Sequence, residues 1–346
     1  MTLATAVAGL LWLAISAYAV LGGADFGGGF WDLLAGGPRR QRQRDAIAGA
    51  MGPVWEANNV WMIFGMVVCF TAFPAVFATL GRLLYVPFTI VLIGIVLRGA
   101  AFAFRAHGRE AVGEVPVWGP IFGAASILAP AFLGAAAAAI ATGRVSPHIH
   151  GGVPGWLTPI AIDLGLLAVS LCAYLAATYL MVETEADPEL QADFRRRALA
   201  AAIVSGALAV LALILAYAQW PALWDRLSGQ GLPLLLLALV NGPIALIAVL
   251  TTHPRIARLA VAGQMLFVLW AWAVGQWPYI LPPDYTLSNS AGPDVTLRGL
   301  LIIVAFGMVI LLPSLFLLFR IFKGRNSAEP EPDSFTLSSR LTTPSS

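Results

Sequence analysis

Apolar stretches of about 20 residues recur along almost the whole chain, and this feature limits the fold more than any other. An α-helix rises about 1.5 Å per residue, so each stretch is long enough to cross a hydrocarbon core of roughly 30 Å. The strict alternation that a membrane β-barrel requires is absent, which leaves helices. Composition agrees: 59% of the 346 residues are hydrophobic and 11% are charged, whereas soluble domains carry about a quarter charged residues. Helices are expected near 3–22, 52–74, 83–104, 117–142, 157–182, 198–218, 233–252, 258–280 and 299–321. The expected fold is therefore an all-α polytopic membrane protein of about nine transmembrane helices, arranged as two four-helix bundles plus one peripheral helix. Met1 to Val20 lacks the basic start of a signal peptide and reads as a retained first helix.

Basic residues then set the orientation. Arg39, Arg40, Arg42 and Arg44 follow the first helix, Arg105 and Arg109 the third, Arg195 to Arg197 the fifth, and Arg255 and Arg258 the seventh. Arg320, Lys323, Arg325 and Arg340 come at or after the end of the ninth. Only Arg82, Arg144, Arg226 and Arg298 fall on the other side, and Arg98 lies within a helix. Because basic loops resist translocation, the pattern predicts an outer amino terminus and a cytoplasmic carboxyl terminus. Trp118, Trp156, Trp220, Trp224, Trp277 and Tyr279 sit at helix ends, where amphipathic rings anchor at the interface. Residues 1–322 form the expected membrane domain. Residues 323–346, rich in Ser, Thr, Pro and acidic residues, read as a disordered cytoplasmic tail.

The metal-ligating residue types are sparse. Cys69 and Cys172 both fall in apolar runs, without CxxC spacing or a Cys/His cluster. His107, His148, His150 and His253 are all expected in loops, and haem in a membrane bundle is usually held by histidine or methionine from within the helices. Met51, Met62, Met66, Met181, Met265 and Met308 read as apolar packing. No catalytic, cofactor-binding or metal-binding residue is expected in this chain, and nothing points to nucleic acid.

A charge in mid-membrane costs about 2.5–3.5 kcal/mol on insertion scales, so each one needs a partner or a task. Asp25 ends the expected first helix within Gly22-Gly23-Ala24-Asp25-Phe26-Gly27-Gly28-Gly29-Phe30. Glu56 opens the second within Gly52-Pro53-Val54-Trp55-Glu56-Ala57-Asn58-Asn59-Val60-Trp61, and Arg98 closes the third. All three fall toward the cytoplasmic side. Two readings fit them: a proton inlet shared by two acids and an arginine, or structural roles in which Arg98 snorkels, Asp25 caps a helix end and Glu56 pairs with Arg98. Glu56 is the preferred carrier, because a carboxyl drawn out of water beside a cation is placed to accept and release a proton. Asn58 and Asn59 would hold water or bond a neighbouring helix. The glycines around Asp25 lack the βαβ setting of a dinucleotide site, and instead allow close backbone approach or an irregular turn. Asp163 and Asn241 read as structural.

With these residues in place, the chain resembles subunit II of cytochrome bd-type quinol oxidases, most closely their cyanide-insensitive branch. The resemblance rests on Gly22 to Gly29 around Asp25, the Gly52 to Trp61 segment, Phe73-Pro74, Leu97-Arg98-Gly99 with Ala101, Phe102 and Arg105, Leu171 to Leu180, Asn241-Gly242-Pro243, Leu287 to Ser290 and Pro313. It spans roughly residues 1–322. Three departures stand out: Ala24 replaces a usual bulky aromatic, Asn59 stands where that branch often has histidine, and Ser288 to Pro293 shortens the final outer loop.

The resemblance implies a haem-free subunit of a complex that oxidises quinol and reduces oxygen to water in a bacterial cell membrane. Its partner, subunit I, would carry the haem b and haem d-type groups, and a quinone or membrane lipid could rest against this chain. By resemblance Glu56 takes the position of a proton-channel carboxylate, with Asp25, Asn58, Asn59 and Arg98 beside it. The rivals are a secondary membrane transporter with a substrate site between helices and a purely structural partner.

Overall fold

The structure, a computed structural model, describes residues 2–51, 55–112, 117–149 and 151–325; the side chains at 51, 55–57, 105–112, 312, 315 and 318–325 stand outside that description. The helices are α1 (Leu3–Leu33), α2 (Arg40–Met51), α3 (Trp55–Ala72), α4 (Pro74–Leu83), α5 (Tyr85–Val112), α6 (Trp118–Ala141), α7 (Pro159–Glu183), α8 (Pro188–Gln219), α9 (Pro221–Ser228), α10 (Leu232–Leu250), α11 (Pro254–Gly275), α12 (Leu287–Ser290) and α13 (Asp294–Arg325). Strands β1 (Tyr279–Leu281) and β2 (Tyr285–Thr286) make one small antiparallel hairpin. Among the described residues eight helices are long and apolar enough to cross a membrane, or nine if α3 and α4 together make one span. The all-α polytopic expectation holds. From residue 326 the expected tail lies outside the described residues.

The first departure from expectation is at residues 22–33. The glycine cluster does not end α1, which runs unbroken for 31 residues, about 46 Å. Each interior glycine disfavours the helix by about 1 kcal/mol relative to alanine, so tertiary contact must compensate. It does so by backbone approach: a Cβ on Gly27 would lie 1.9 Å from the Cys172 carbonyl oxygen, and one on Gly29 2.0 Å from Ser126 Oγ. Helix α1 is thereby pressed against both α7 and α6. Trp31 locks the crossing by donating its indole N–H to the Ala173 carbonyl at 2.7 Å.

The second departure is at Phe73. The expected single helix over 52–74 stops at Ala72, and α4 leaves at an angle of 118°. Pro74 has no amide hydrogen for the helical ladder and restricts the residue before it, and Phe73 takes a non-helical conformation (φ −134°, ψ 61°) with its ring fully buried. The bend is secured from the hairpin side, where Gly292 N donates to the Ala72 carbonyl at 2.8 Å. Thr79 Oγ1 also lies 3.0 Å from the Tyr285 hydroxyl.

Helices α1, α3, α5 and α6 pack as one group and α7, α8, α10 and α11 as another, joined chiefly by α6 and α1 against α7. This adjacency matches the expected pair of four-helix bundles. Helix α7 is buried on nearly all sides from Val169 to Met181, which explains why it lacks a polar face. Its interior contacts are small-residue or polar: Ser205 bonds Ser170 at 3.0 Å from α8, and Gly134 and Gly165 let α6 and α7 touch backbone to backbone. Asn241 donates to the Ala260 carbonyl at 2.5 Å, tying α10 to α11 as its structural reading expected. From Arg298 onward α13 forms a separate compact unit, helical through Pro313 to Arg325.

At one end of the first unit the basic loops meet. Arg39 grips Asp193 with two bonds of 2.7 and 2.8 Å, and Gln43 reaches the same carboxylate at 2.9 Å. Arg42 bonds Asp187 and Glu189, Arg255 bonds Glu185 at 3.0 Å, and Arg195 caps the last carbonyls of α10. Helix α2 is thus clamped over the α7–α8 junction. The Arg42 guanidinium holds the Asp187 carboxyl below its ordinary range, helped by the Leu190 amide that Asp187 caps. A carboxylate whose folded pKa is depressed stabilises above its unfolded pKa and loses that contribution as pH falls through the folded value. Asp187→Asn should therefore destabilise the detergent-solubilised protein slightly near neutral pH and flatten its loss of melting temperature as pH falls below about 4, the ordinary carboxyl value. An unchanged acid limb would remove Asp187 from this role.

Candidate functional site

Helix geometry sets a polar file on α1. Seven residues turn a helix by about 700°, within 20° of two full turns, so Asp25 and Asp32 lie on one face about 10 Å apart. Both are almost wholly buried, at 2% and 1% exposure. Asp32 lies toward the basic end, with Arg44 of α2 at 3.8 Å. Asp25 lies two turns deeper.

Helix α3 docks at Asp25. Asn58 donates from Nδ2 to Asp25 Oδ2 at 2.6 Å, and the same amide reaches the Leu21 carbonyl at 3.3 Å. The other carboxylate oxygen, Oδ1, is buried with no hydrogen-bond partner among the described residues. An unmatched buried polar group costs about 1–3 kcal/mol, so the site is held by its surroundings. Arg98 of α5, 5% exposed, provides the balancing charge. Its guanidinium stands 5.1 Å from the Phe26 ring centre and 5.3 Å from that of Phe122, an arrangement in which desolvated cations gain about 2 kcal/mol. Asp25 and Arg98 act on each other electrostatically without closing a contact ion pair, and Arg98 Nε has no hydrogen-bond partner among the described residues. Removing the cation would strand the carboxylate. Arg98→Leu should lower stability by about 3 kcal/mol, the lower end for breaking a buried charge pair, read as a fall in the melting temperature of the solubilised protein; an unchanged value would mean that Asp25 does not depend on Arg98.

The structure thus brings together Asp25, Asn58 and Arg98. The Glu56 backbone lies in the first turn of α3, and its side chain falls outside the described residues, as do Gly52 to Val54. Asn59 is half-buried on the same helix and has an interaction of its own. Sequence reasoning missed Asp32, whose seven-residue spacing from Asp25 marks a shared face only on a helix that runs on to Leu33. Asp163, expected to be structural, is buried on α7 with both oxygens unpartnered.

Among the described residues no histidine lies within the apolar stretch of a membrane-spanning helix. His107 is helical, correcting the loop expectation, but lies past the apolar part of α5, which ends at Phe104. His148 lies near Asp284 in a loop, His253 caps α11, and His150 is outside the described residues. Met181 and Met265 are packed in the hydrophobic core. Among the described residues no group of three or more His, Cys, Asp or Glu is placed to hold a metal ion.

The family model for cytochrome bd terminal oxidase subunit II matches residues 3–322. Among curated relatives, the cytochrome bd ubiquinol oxidase subunit 2 of Bacillus subtilis is 28% identical over 59% of this chain and 62% of its own length. A putative cytochrome bd menaquinol oxidase subunit II of the same organism is 23% identical over 90% of this chain and 93% of its own. The cytochrome bd-I ubiquinol oxidase subunit 2 of Escherichia coli is 28% identical over 54% and 50%. The chain thus spans less than two thirds of two of these relatives. A bd oxidase chain from Geobacillus thermodenitrificans shares the fold, with a TM-score of 0.78 at 24% identity over 93% of this chain and 99% of that one.

Proposed function

The chain belongs to the family of cytochrome bd terminal oxidase subunit II, and we propose that it acts within a quinol:oxygen oxidoreductase complex as the subunit that leads cytoplasmic protons toward a haem-bearing partner. Quinol electrons reach oxygen on that partner, subunit I. Protons travel partly along this chain, past Asp32 to Asp25, with Glu56, Asn58, Asn59 and Arg98 lining the way. The observation that carries the reading is Asp25 itself: an acid deep in a membrane helix, fixed through one oxygen by Asn58, balanced by Arg98, with its other oxygen unengaged.

The basic loops are read as cytoplasmic, with the amino terminus outside and the carboxyl terminus within. Their meeting at one end, through Arg39, Arg42, Arg195 and Arg255, supports that orientation. A secondary transporter is disfavoured because the acids line up toward one end of α1 and the family match covers nearly the whole chain. The class is tested by purifying the protein through a tag on this chain. A stoichiometric partner bearing haem b and d absorption bands is expected, and a haem-free preparation active in solute transport would overturn the reading. In that complex Glu56→Ala should slow oxygen consumption without changing the haem spectrum, and Glu56→Asp should be milder. Unchanged turnover in the assembled Glu56→Ala variant would remove Glu56 from the route.

A further inference from the structure

Tyr18 continues the polar face of α1, seven residues before Asp25, and its hydroxyl is buried without a hydrogen-bond partner among the described residues. Two contacts aim it. Its ring rests on Gly22, where a Cβ would lie only 3.1 Å from Tyr18 Cε2. It also meets the Phe26 ring edge-on at 6.3 Å, and Phe26 is the platform beneath Arg98. The Tyr18 hydroxyl, Arg98 Nε and Asp25 Oδ1 are each buried without a hydrogen-bond partner among the described residues, and the first lies within electrostatic range of the other two groups.

Their chemistry is complementary to a single ligand. Tyr18 O–H and Arg98 Nε–H donate, and Asp25 Oδ1 accepts. A water molecule accepts two hydrogen bonds and donates two, so it can satisfy all three groups and keep one O–H for a further acceptor. Internal waters are held by two to four polar partners, and polar groups that interact across more than a direct hydrogen bond are the usual setting for a bridge.

We propose that Tyr18, Asp25 and Arg98 hold one ordered water molecule between them, and that Tyr18 is a positioning residue extending the proton route beyond Asp25. When Asp25 carries a proton on Oδ1, Oδ1–H donates to the water and the rotatable Tyr18 hydroxyl turns to accept from it, so the water takes the Asp25 proton as it releases one through the O–H not held by Tyr18. The carboxylate left behind is balanced by Arg98. The proposal rests on the proton-route reading, since a water fixed here serves transfer only if protons reach Asp25. Gly22 belongs to the same device, because a side chain there would push the Tyr18 ring away.

The test is a high-resolution cryo-electron microscopy map of the intact complex, paired with oxygen-reduction rates for Tyr18→Phe. A density peak within hydrogen-bond reach of all three atoms is expected in the unaltered complex and is lost in Tyr18→Phe, which keeps the ring. Turnover of that variant should fall roughly two- to tenfold, the effect of one hydrogen bond on a barrier. The deficit should narrow as the medium is acidified, which a packing defect would not do. An empty compartment in the unaltered map overturns the proposal, whether or not the variant assembles. So does wild-type turnover of Tyr18→Phe at every pH. Asp25→Asn separates the two levels: if it is slow while Tyr18→Phe is normal, only this inference fails, and if both are normal the proton route fails with it.

Discussion

Asp25→Asn is expected to lower the oxygen-reduction turnover of the assembled complex by about 100-fold while leaving its haem absorption spectrum in place. The magnitude is the lower end of what a positioned proton-transfer group contributes. The substitution preserves shape: the new amide can turn its oxygen toward Asn58 Nδ2, which now donates to Asp25 Oδ2 at 2.6 Å. What it removes is the capacity to take up and release a proton. It also leaves Arg98 buried without a counter-charge between Phe26 and Phe122, so some loss of yield is expected, and rates are compared per haem. Asp25→Glu should recover much of the activity. Turnover within twofold of wild type for assembled Asp25→Asn would show that protons take another path.

The other large effect is structural. Gly27→Leu should prevent the complex from accumulating, and Gly27→Ala should reduce it severely. Even the first added carbon would lie 1.9 Å from a backbone carbonyl oxygen of α7 and 2.7 Å from Ala176 Cβ. Backbone cannot step aside as a flexible side chain can, so α1 must separate from α7. Overpacking a core by a few methylenes already costs about 1–3 kcal/mol, and here the crossing that presents Asp25 is lost. Gly9→Ala and Gly206→Ala are the controls, since a Cβ at either position meets nothing within 4 Å. Quantifying the tagged chain and haem in membranes reads the result. Normal accumulation of Gly27→Leu would mean that α1 does not cross α7 here.

The membrane architecture was legible because lipid imposes a strong rule: backbone groups must be paired within each span, and the spans must be apolar and long enough. Length and hydropathy alone therefore found the helices. Where α1 ends was not legible. Local propensity reads Gly22 to Gly29 as weak helix, and only contacts with Cys172, Ser126 and Ala173 carry it on to Leu33. The break at Phe73-Pro74 had a visible cause in proline, but its 118° angle depends on a partner more than 200 residues away, at Gly292. For the site, the cost of charge in lipid singled out Asp25, Arg98 and the preferred Glu56, whose side chain lies outside the described residues, and the grouping of the first two with Asn58 followed once the helices packed. Asp32 escaped notice because it fell beyond the expected end of the first helix, so its shared face with Asp25 had no meaning until α1 was seen to continue. Tyr18 escaped because a tyrosine in an apolar run reads as packing, and only the orphaned hydroxyl reveals otherwise.

Proton uptake by the complex, reconstituted in liposomes and followed with a pH-sensitive dye after oxygen is mixed with the fully reduced enzyme, tests the role of Asp25 most directly. Uptake in the unaltered protein should come from the side bearing Arg39 and Arg42, and should slow in step with oxygen reduction in Asp25→Asn. Uptake in Asp25→Asn as fast as in the unaltered complex, or uptake from the opposite side, would contradict the account.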